Sequence, residues 1–535
     1  MANPPDDSPV TPAGAPPDAP PPGSPIRLDG AFPRTDLEHW RAAAEASLRG
    51  GATLDGVDRE TLDGLAVDLL YHDSPIDGRL APGDPLPASR PSTSEVSDEP
   101  CWDNRLHVLG DTSDALAAHA LAGLAGGVTS LELDVRATRR DDQHARSLPL
   151  DALPRALDGV HVDMIGLSLR AGGDTDAALD ALLSLLRERG HDPASARVEL
   201  DADPLGELAR HGRGGGDLAD ARARLVATAA RAASELPVAR VVAVDTVVHH
   251  AAGASARQEL VAGIAAATDY VDALLDAGLE PQTACRTLVF RVALDADIVG
   301  GVVKLRALER LWNHALGSAG LPVVRPHVIV ETSHRHLSSL APWVNHLRNV
   351  AACTAAAIGG ADTVIVHPHD RVDGRRVGAD AVTADRVARN LPILLAEEGG
   401  LLAVDDAAGG AHAIESLTRA TVESAWSALG ELQEGGGLAA ALASGRWRES
   451  VARTHAARVA RLADGESVRV GVNRFRHDGA ERNASALNDR AASHGERAEP
   501  PVGSETDVTP LLPVREASAF EGDPVPDETN AGASA

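Results

Sequence analysis

The sequence predicts an α/β chain built on a (β/α)8 TIM barrel, with an N-terminal helical extension and disordered tails. Two observations carry the prediction. Short β-branched runs alternate with Ala/Leu-rich stretches of helical character, and there are about eight such runs. Strand–helix alternation implies parallel pairing through right-handed crossovers, and about eight such units fit a closed barrel. A third observation weighs against the open doubly wound alternative in its dinucleotide-binding form: no G-x-G-x-x-G follows an early strand.

Residues 1–33 are rich in Pro, Ala, Asp and Gly and are expected to be a disordered tail. Residues 34–100 are expected to be a helical extension and a polar, Pro-rich linker. Within them "TDLEHWRAAAEASL" reads as a capped helix, with Thr35 as cap, Glu38 three residues on, and Trp40, Ala44 and Leu48 on one face. Residues 101–475 are expected to hold the barrel and its closing helices. The expected strands are "VTSLELDV" from Val128, "VHVDMIGLSL" from Val160, "RVELDAD" from Arg197 and "VVAVDTVV" from Val241. "TLVFRVAL" from Thr287, "VVRPHVIVE" from Val323, "DTVIVHP" from Asp362 and "LLAVDD" from Leu401 complete the eight. Helical patterns then run to about Leu462. Residues 476–535 are polar and irregular and are expected to be a disordered or truncated tail.

The 535 residues carry 50 Lys+Arg against 78 Asp+Glu, a formal charge of −28. That balance excludes nucleic acid and anionic membranes as main partners, since both need a basic face. Lys304 is the only lysine. Cys101, Cys285 and Cys353 lie far apart without C-x-x-C, which fits a reducing cytoplasm. No signal peptide or strongly apolar run of membrane-spanning length is present, so a cytoplasmic location is expected.

In a parallel barrel the working residues sit at the carboxyl ends of the strands. That selects Asp201 and Asp203, Asp245 with His249 and His250, and Asp295 with Asp297. It also selects Glu331 with His334 and His336, His367 with His369 and Asp370, and Asp405 with Asp406. "HPHD" and "ETSHRH" have metal-like spacing, but no third ligand is identifiable and no metal site is expected. G-x-S-x-G is absent, against a serine hydrolase. Cys353 lies on an Ala-rich stretch and reads as core. Trp312, Trp343 and Trp426 read as packing.

Several stretches together resemble the methylmalonyl-CoA mutase family. "FRVALDADIVGGVVKLRALERLW" carries K-L-R-A-x-x-x-L-W on Lys304, Leu305, Arg306, Ala307, Leu311 and Trp312. "PWVNHLRNVAACTAAAIGGAD" is similar to the following helix, with Asn345 and Arg348. "VARNLPILLAEEGGLLAVDDAAGGAHAIESLT" resembles the A-R-N…E-E…D-P-A-G-G…E-x-L-T block. "GGLAAALASG" and "VGVNRF" resemble the closing helix and its end. The resemblance spans about residues 35–475 and implies a (β/α)8 barrel. It also implies an adenosylcobalamin-dependent rearrangement of methylmalonyl-CoA to succinyl-CoA, with the radical chemistry supplied by the cofactor.

The departures are informative. Competent chains of the family carry Tyr-His before A-G-A, the His stabilising charge on the thioester carbonyl. With A-G-A on Ala252, Gly253 and Ala254, those slots hold Val247 and Val248, and His249 and His250 fall beyond them. Read as a strand, such an offset turns a side chain to the other face. Where W-T-I-R-Q-Y-A-G is expected, the chain reads "WDNRLHVLG": Trp102 and Arg105 remain and His107 takes the Tyr position. An N-D-x-L-K-E run followed by a carboxylate-binding Arg becomes "DADPLGELARHG", with Gly206 for Lys and Arg210 one place off. The degenerate catalytic positions are therefore His107, Val247 and Val248. Arg105, Arg210, His249 and His250 are candidates for substrate contact. The cobalt-ligating D-x-H-x-x-G is not matched; Asp142-Gln143-His144 lacks the Gly. "PVREASAFE" resembles the lead-in to a C-terminal cobalamin-binding domain, which is expected to be absent.

The resemblance thus implies the small, non-catalytic subunit of a heterodimeric mutase. Its partner is a large subunit that binds adenosylcobalamin, and acyl-CoA is met only through the complex. Two alternatives stand beside it. One is an active acyl-CoA mutase chain served by a separate cobalamin-binding subunit. The other is a diverged barrel that binds acyl-CoA or a partner without catalysis.

Overall fold

Residues alternate in burial partner along each central run, and that alternation closes a barrel. The computed structural model describes residues 36–48, 54, 59–71, 102–135, 148–212, 218–372, 375–376, 381–476 and 508–521. Eight parallel strands form a closed sheet. They are β1 (Asp103–His107), β2 (Ser130–Asp134), β3 (Gly166–Arg170), β4 (Val198–Ala202), β5 (Arg240–Asp245), β6 (Leu288–Leu294), β7 (Val328–Thr332) and β8 (Thr363–Ile365). β8 closes the ring on β1, Thr363 opposite Asp103 and Ile365 opposite Arg105.

Leu131, Leu133, Leu167, Leu169, Leu200, Val242, Val244, Phe290, Val292 and Val330 join the main core between sheet and helices. Their neighbours Ala243, Val289, Ile329 and Ile365 form a separate small cluster. The period of two sends them into the lumen instead. That phase also carries polar residues: Ser130, Glu132, Ser168, Glu199, Asp201, Asp245, Arg291 and Glu331 are all buried.

The helices that matter for the site follow in order. α1 (Leu37–Ser47) belongs to the N-terminal unit, residues 1–59; all others belong to the second, residues 60–535. Asp36 caps α1 by accepting from the His39 amide at 2.9 Å, so the cap is one residue later than expected; Thr35 lies outside the described residues. In the second unit are α2 (Ser113–Ala125), α3 (Thr175–Glu188), α4 (Pro204–His211), α5 (Leu218–Glu235) and α6 (Val247–Ala251). α7 (Ala256–Asp276), α8 (Ile298–Ser318), α9 (Pro342–Gly359) and α10 (Ala381–Glu397) follow. α11 (His412–Glu434), α12 (Gly437–Ala443) and α13 (Arg446–Ala463) close the chain around the barrel. A capping box, Ser255 with Gln258, starts α7 and fixes the turn from α6.

The expectation of eight strands is met through two compensating differences. β1 lies in "DNRLH", which has no β-branched residue; pairing with β8 and β2 makes it a strand. "LLAVDD" is a series of turns after α10, with Val404 60% exposed. Two glycines precede it and no neighbouring strand is left to pair with. Asp405 and Asp406 therefore lie at no strand end. "VVAVDTVV" stops as strand at Asp245, and Val247 begins a helix.

The tails also differ from expectation in one stretch. Residues 1–33, most of the linker, Asp142-Gln143-His144 and most of 476–535 lie outside the described residues. Residues 508–521, however, pack against the barrel. Their backbone amides at Leu511, Val514 and Glu516 donate to the carbonyls of Ala209, Ala251 and Arg335. Glu516 is 1% exposed and faces Arg335, Arg458 and Arg469. Three cations around one carboxylate outweigh the irregular sequence around it. Cys353 is core as expected, and Trp312 is buried, whereas Trp343 is 68% exposed.

Candidate functional site

The carboxyl ends of the strands surround a lumen filled by ion pairs. Arg291, midway along β6, is wholly buried. Its Nη1 lies 2.6 Å from Glu132 Oε2 and 3.1 Å from Asp201 Oδ2, and its Nη2 2.5 Å from Glu331 Oε1. Burial works to raise the Glu331 carboxyl, and Arg291 together with His367 and Arg170 outweighs it, holding that carboxyl well below the usual range. Asp201 ends on the other side: burial pushes it up to about 6 against Arg291. Deeper in the lumen Arg105 holds Glu199 in a two-pronged pair, with Nη2 donating to Oε1 at 3.0 Å.

Beside the Arg291 cluster lies a cleft of about 250 Å³, part of it open to solvent. Arg170, Asp201, Asp203, Glu207, Arg210 and Asp245 form its charged walls. Arg170 Nη2 and Arg210 Nη2 both donate to Asp245 Oδ2, at 3.0 and 2.6 Å. Asp203 accepts from the Tyr270 hydroxyl at 2.5 Å and from the Gly206 and Asp245 amides. Its burial pushes it up to about 7, against the Tyr270 hydrogen bond.

The expected site residues separate. Arg210 lines the cleft, and His107 stands at the end of β1 with Nδ1 3.0 Å from Glu132 Oε1. Arg105 is spent on Glu199 below. Val247 and Val248 begin α6 rather than continuing the strand, and Val248 packs into the core. A one-residue offset there is a rotation of about 100° around a helix, not a change of sheet face.

His249 and His250 are buried and do not line the cleft, contrary to their expected place as rim residues and candidates for substrate contact. Trp447 Nε1 donates to His249 Nδ1 at 3.1 Å. His250 bridges Glu259 Oε1, 2.8 Å from Nδ1, and Ser333 Oγ, 2.7 Å from Nε2. Lys304 Nζ donates to the other Glu259 oxygen at 2.7 Å and to the Ala293 carbonyl at 2.7 Å. Burial pulls His249 and His250 down to about 4, so both are neutral at pH 7. After them Gly253 adopts φ +106°, where a Cβ would meet His455 at 2.6 Å.

Sequence reasoning missed Glu132, Arg170 and Arg291. Their signal is a charged residue in the inward phase of an otherwise apolar strand, as in "LVFRVAL". Among the described residues no group of three or more His, Cys, Asp or Glu is arranged to hold a metal ion. No described helix is long and apolar enough to cross a membrane.

Residues 149–499 match the family described as methylmalonyl-CoA mutase. A methylmalonyl-CoA mutase small subunit of Streptomyces virginiae is 35% identical over 463 residues, 84% of this chain and 72% of that protein. The small subunit of Propionibacterium freudenreichii subsp. shermanii is 30% identical over 471 residues, 85% of this chain and 71% of that one. A methylmalonyl-CoA mutase of Cereibacter sphaeroides is 27% identical over 467 residues, 82% of this chain and 64% of that one.

Proposed function

The chain belongs to the methylmalonyl-CoA mutase family, and from that membership we propose that it is a small, non-catalytic subunit. Its partner is a catalytic large subunit that converts methylmalonyl-CoA to succinyl-CoA with adenosylcobalamin. One observation carries the reading. The strand-end lumen, where a barrel enzyme holds its substrate, is taken up by the chain's own Arg291, Arg170, Glu132, Asp201, Glu331 and Asp245. The cleft that remains, about 250 Å³ with open solvent included, has room for little more than a water-sized group, and acyl-CoA is far larger.

The emptied positions agree. Val247 and Val248 offer no hydrogen bond to a thioester carbonyl, and His107 is engaged with Glu132. The residues at the rim do not fit adenosylcobalamin either. His249 and His250 are enclosed with Trp447, Glu259 and Ser333, and the arginines are pinned by carboxylates. No step is assigned to this chain through that cofactor, which is read as bound by the partner in the cytoplasm. The subunit's part is then to bind and support the catalytic chain. Purification of the chain alone and with a large subunit, followed by turnover assays with adenosylcobalamin, tests this. Turnover by this chain supplied only with a free cobalamin-binding subunit would refute it.

A further inference from the structure

Arg170 and Arg210 come from different elements, the end of β3 and helix α4, yet both point at one oxygen. Asp245 Oδ2 accepts from Arg170 Nη2 at 3.0 Å and from Arg210 Nη2 at 2.6 Å. The other oxygen, Oδ1, accepts from the Val247 amide at 3.0 Å and so fixes the carboxylate's orientation. This happens on the wall of the strand-end cleft. Two guanidinium groups converging on a carboxylate is the arrangement by which proteins recognise carboxylate ligands. Here the carboxylate is the chain's own.

We propose that Arg170 and Arg210 form a clamp for a small carboxylate and that Asp245 occupies it from within. The native barrel thereby refuses carboxylate ligands at this cleft on its rim. A second observation shows why refusal is firm. Asp201 is 7% exposed, lines the same cleft, and its Oδ1 has no hydrogen-bond partner. An incoming carboxylate meets that oxygen and Asp245 together, while both arginines are already engaged. Removing Asp245 takes away one negative charge and frees two donors at the same point.

The inference rests on the non-catalytic reading only for what it would exclude. Its readout is binding, so its failure is separate from any result on turnover. Asp245→Ser keeps an acceptor for the Val247 amide, since Ser is a good residue at a helix start. Asp245→Ala is the second variant, and circular dichroism shows that each retains the native fold. Acetate is titrated calorimetrically into the full-length native chain and each folded variant, with methylammonium as the opposite-charge control. The expected result is saturable acetate binding by both variants, at least about tenfold tighter than by the native chain, and none for methylammonium. Adding Arg210→Gln to Asp245→Ser abolishes it. The proposal is overturned if the native chain binds acetate equally well. It is also overturned if the folded variants bind none, or if binding survives Arg210→Gln.

Discussion

Replacing Arg291 with Met tests whether the lumen is held by charge. Met has similar length and no charge, so the shape of the barrel changes little. Arg291 lies within 3.1 Å of oxygens from Glu132, Asp201 and Glu331. Its loss strands three buried carboxylates. Arg170, 3.7 to 3.9 Å from the same three residues, compensates in part. Removing one partner of a buried pair costs about 3–5 kcal/mol, and about 4 kcal/mol is expected near neutral pH. Total stabilities run to about 5–15 kcal/mol, so the variant should still fold.

The pH dependence gives the decisive sign. In the native chain burial would raise Glu331, but Arg291 with His367 and Arg170 holds it well below its ordinary value of 4.5. Its stabilising contribution is therefore present above that value and lost as pH falls through the folded pKa. Without Arg291, burial meets only the weaker opposition of His367 and Arg170, and the folded pKa rises. Carboxylate burial then destabilises the variant at neutral pH, and protonation relieves it as pH falls. The gap between native and variant narrows by up to about 1.4 kcal/mol per pH unit for each group that takes up a proton. Urea unfolding followed by circular dichroism at about pH 7.5 and about pH 5 measures the gap. A gap below about 1 kcal/mol at the higher pH, or one that does not shrink at the lower, would refute the reasoning.

Three further outcomes are expected. Lys304 is the only lysine and is 6% exposed, so an amine-reactive ester should label it only in denaturant, leaving the native chain modified at its terminal amine alone; rapid native labelling would contradict its burial. His250 sits at about 4 through burial and the neighbouring Arg335 charge, against 6.5 ordinarily, so its contribution is present above 6.5 and lost as pH falls toward 4. At about pH 5 that loss is about 2 kcal/mol, and His250→Gln should remove that share of the acid destabilisation in urea titrations. Glu516→Ala should release residues 508–521, raising hydrogen exchange at Val514 and Glu516, whose amides donate to Ala251 and Arg335; unchanged protection would show that the arginine cluster does not hold them.

The barrel was legible because outward-facing strand positions are apolar and β-branched, as in "VVAVD". It was misread where pairing overrides propensity. "DNRLH" becomes a strand only because β8 and β2 flank it, and "LLAVDD" stays a turn because no partner remains. At the site, Asp201, Asp203 and Asp245 were found from their strand-end positions. Glu132 and Arg291 were visible as charges within apolar runs, but their cancellation depends on distances around a ring. His249 and His250 looked like rim residues because a helix start after β5 cannot be told from a strand's end in "VDTVVHH". Their burial comes from Trp447, nearly two hundred residues later, and from Glu259 and Ser333.

The central claim is that this barrel performs no turnover of its own. The direct measurement is mutase activity of the complex when the large subunit carries a single inactivating substitution in its own catalytic site. With methylmalonyl-CoA and adenosylcobalamin supplied, the complex should show no succinyl-CoA formation above the reaction without protein, while the complex with the native large subunit turns over. Sustained succinyl-CoA formation by the complex with the inactivated large subunit would place an active site in this chain and contradict the claim.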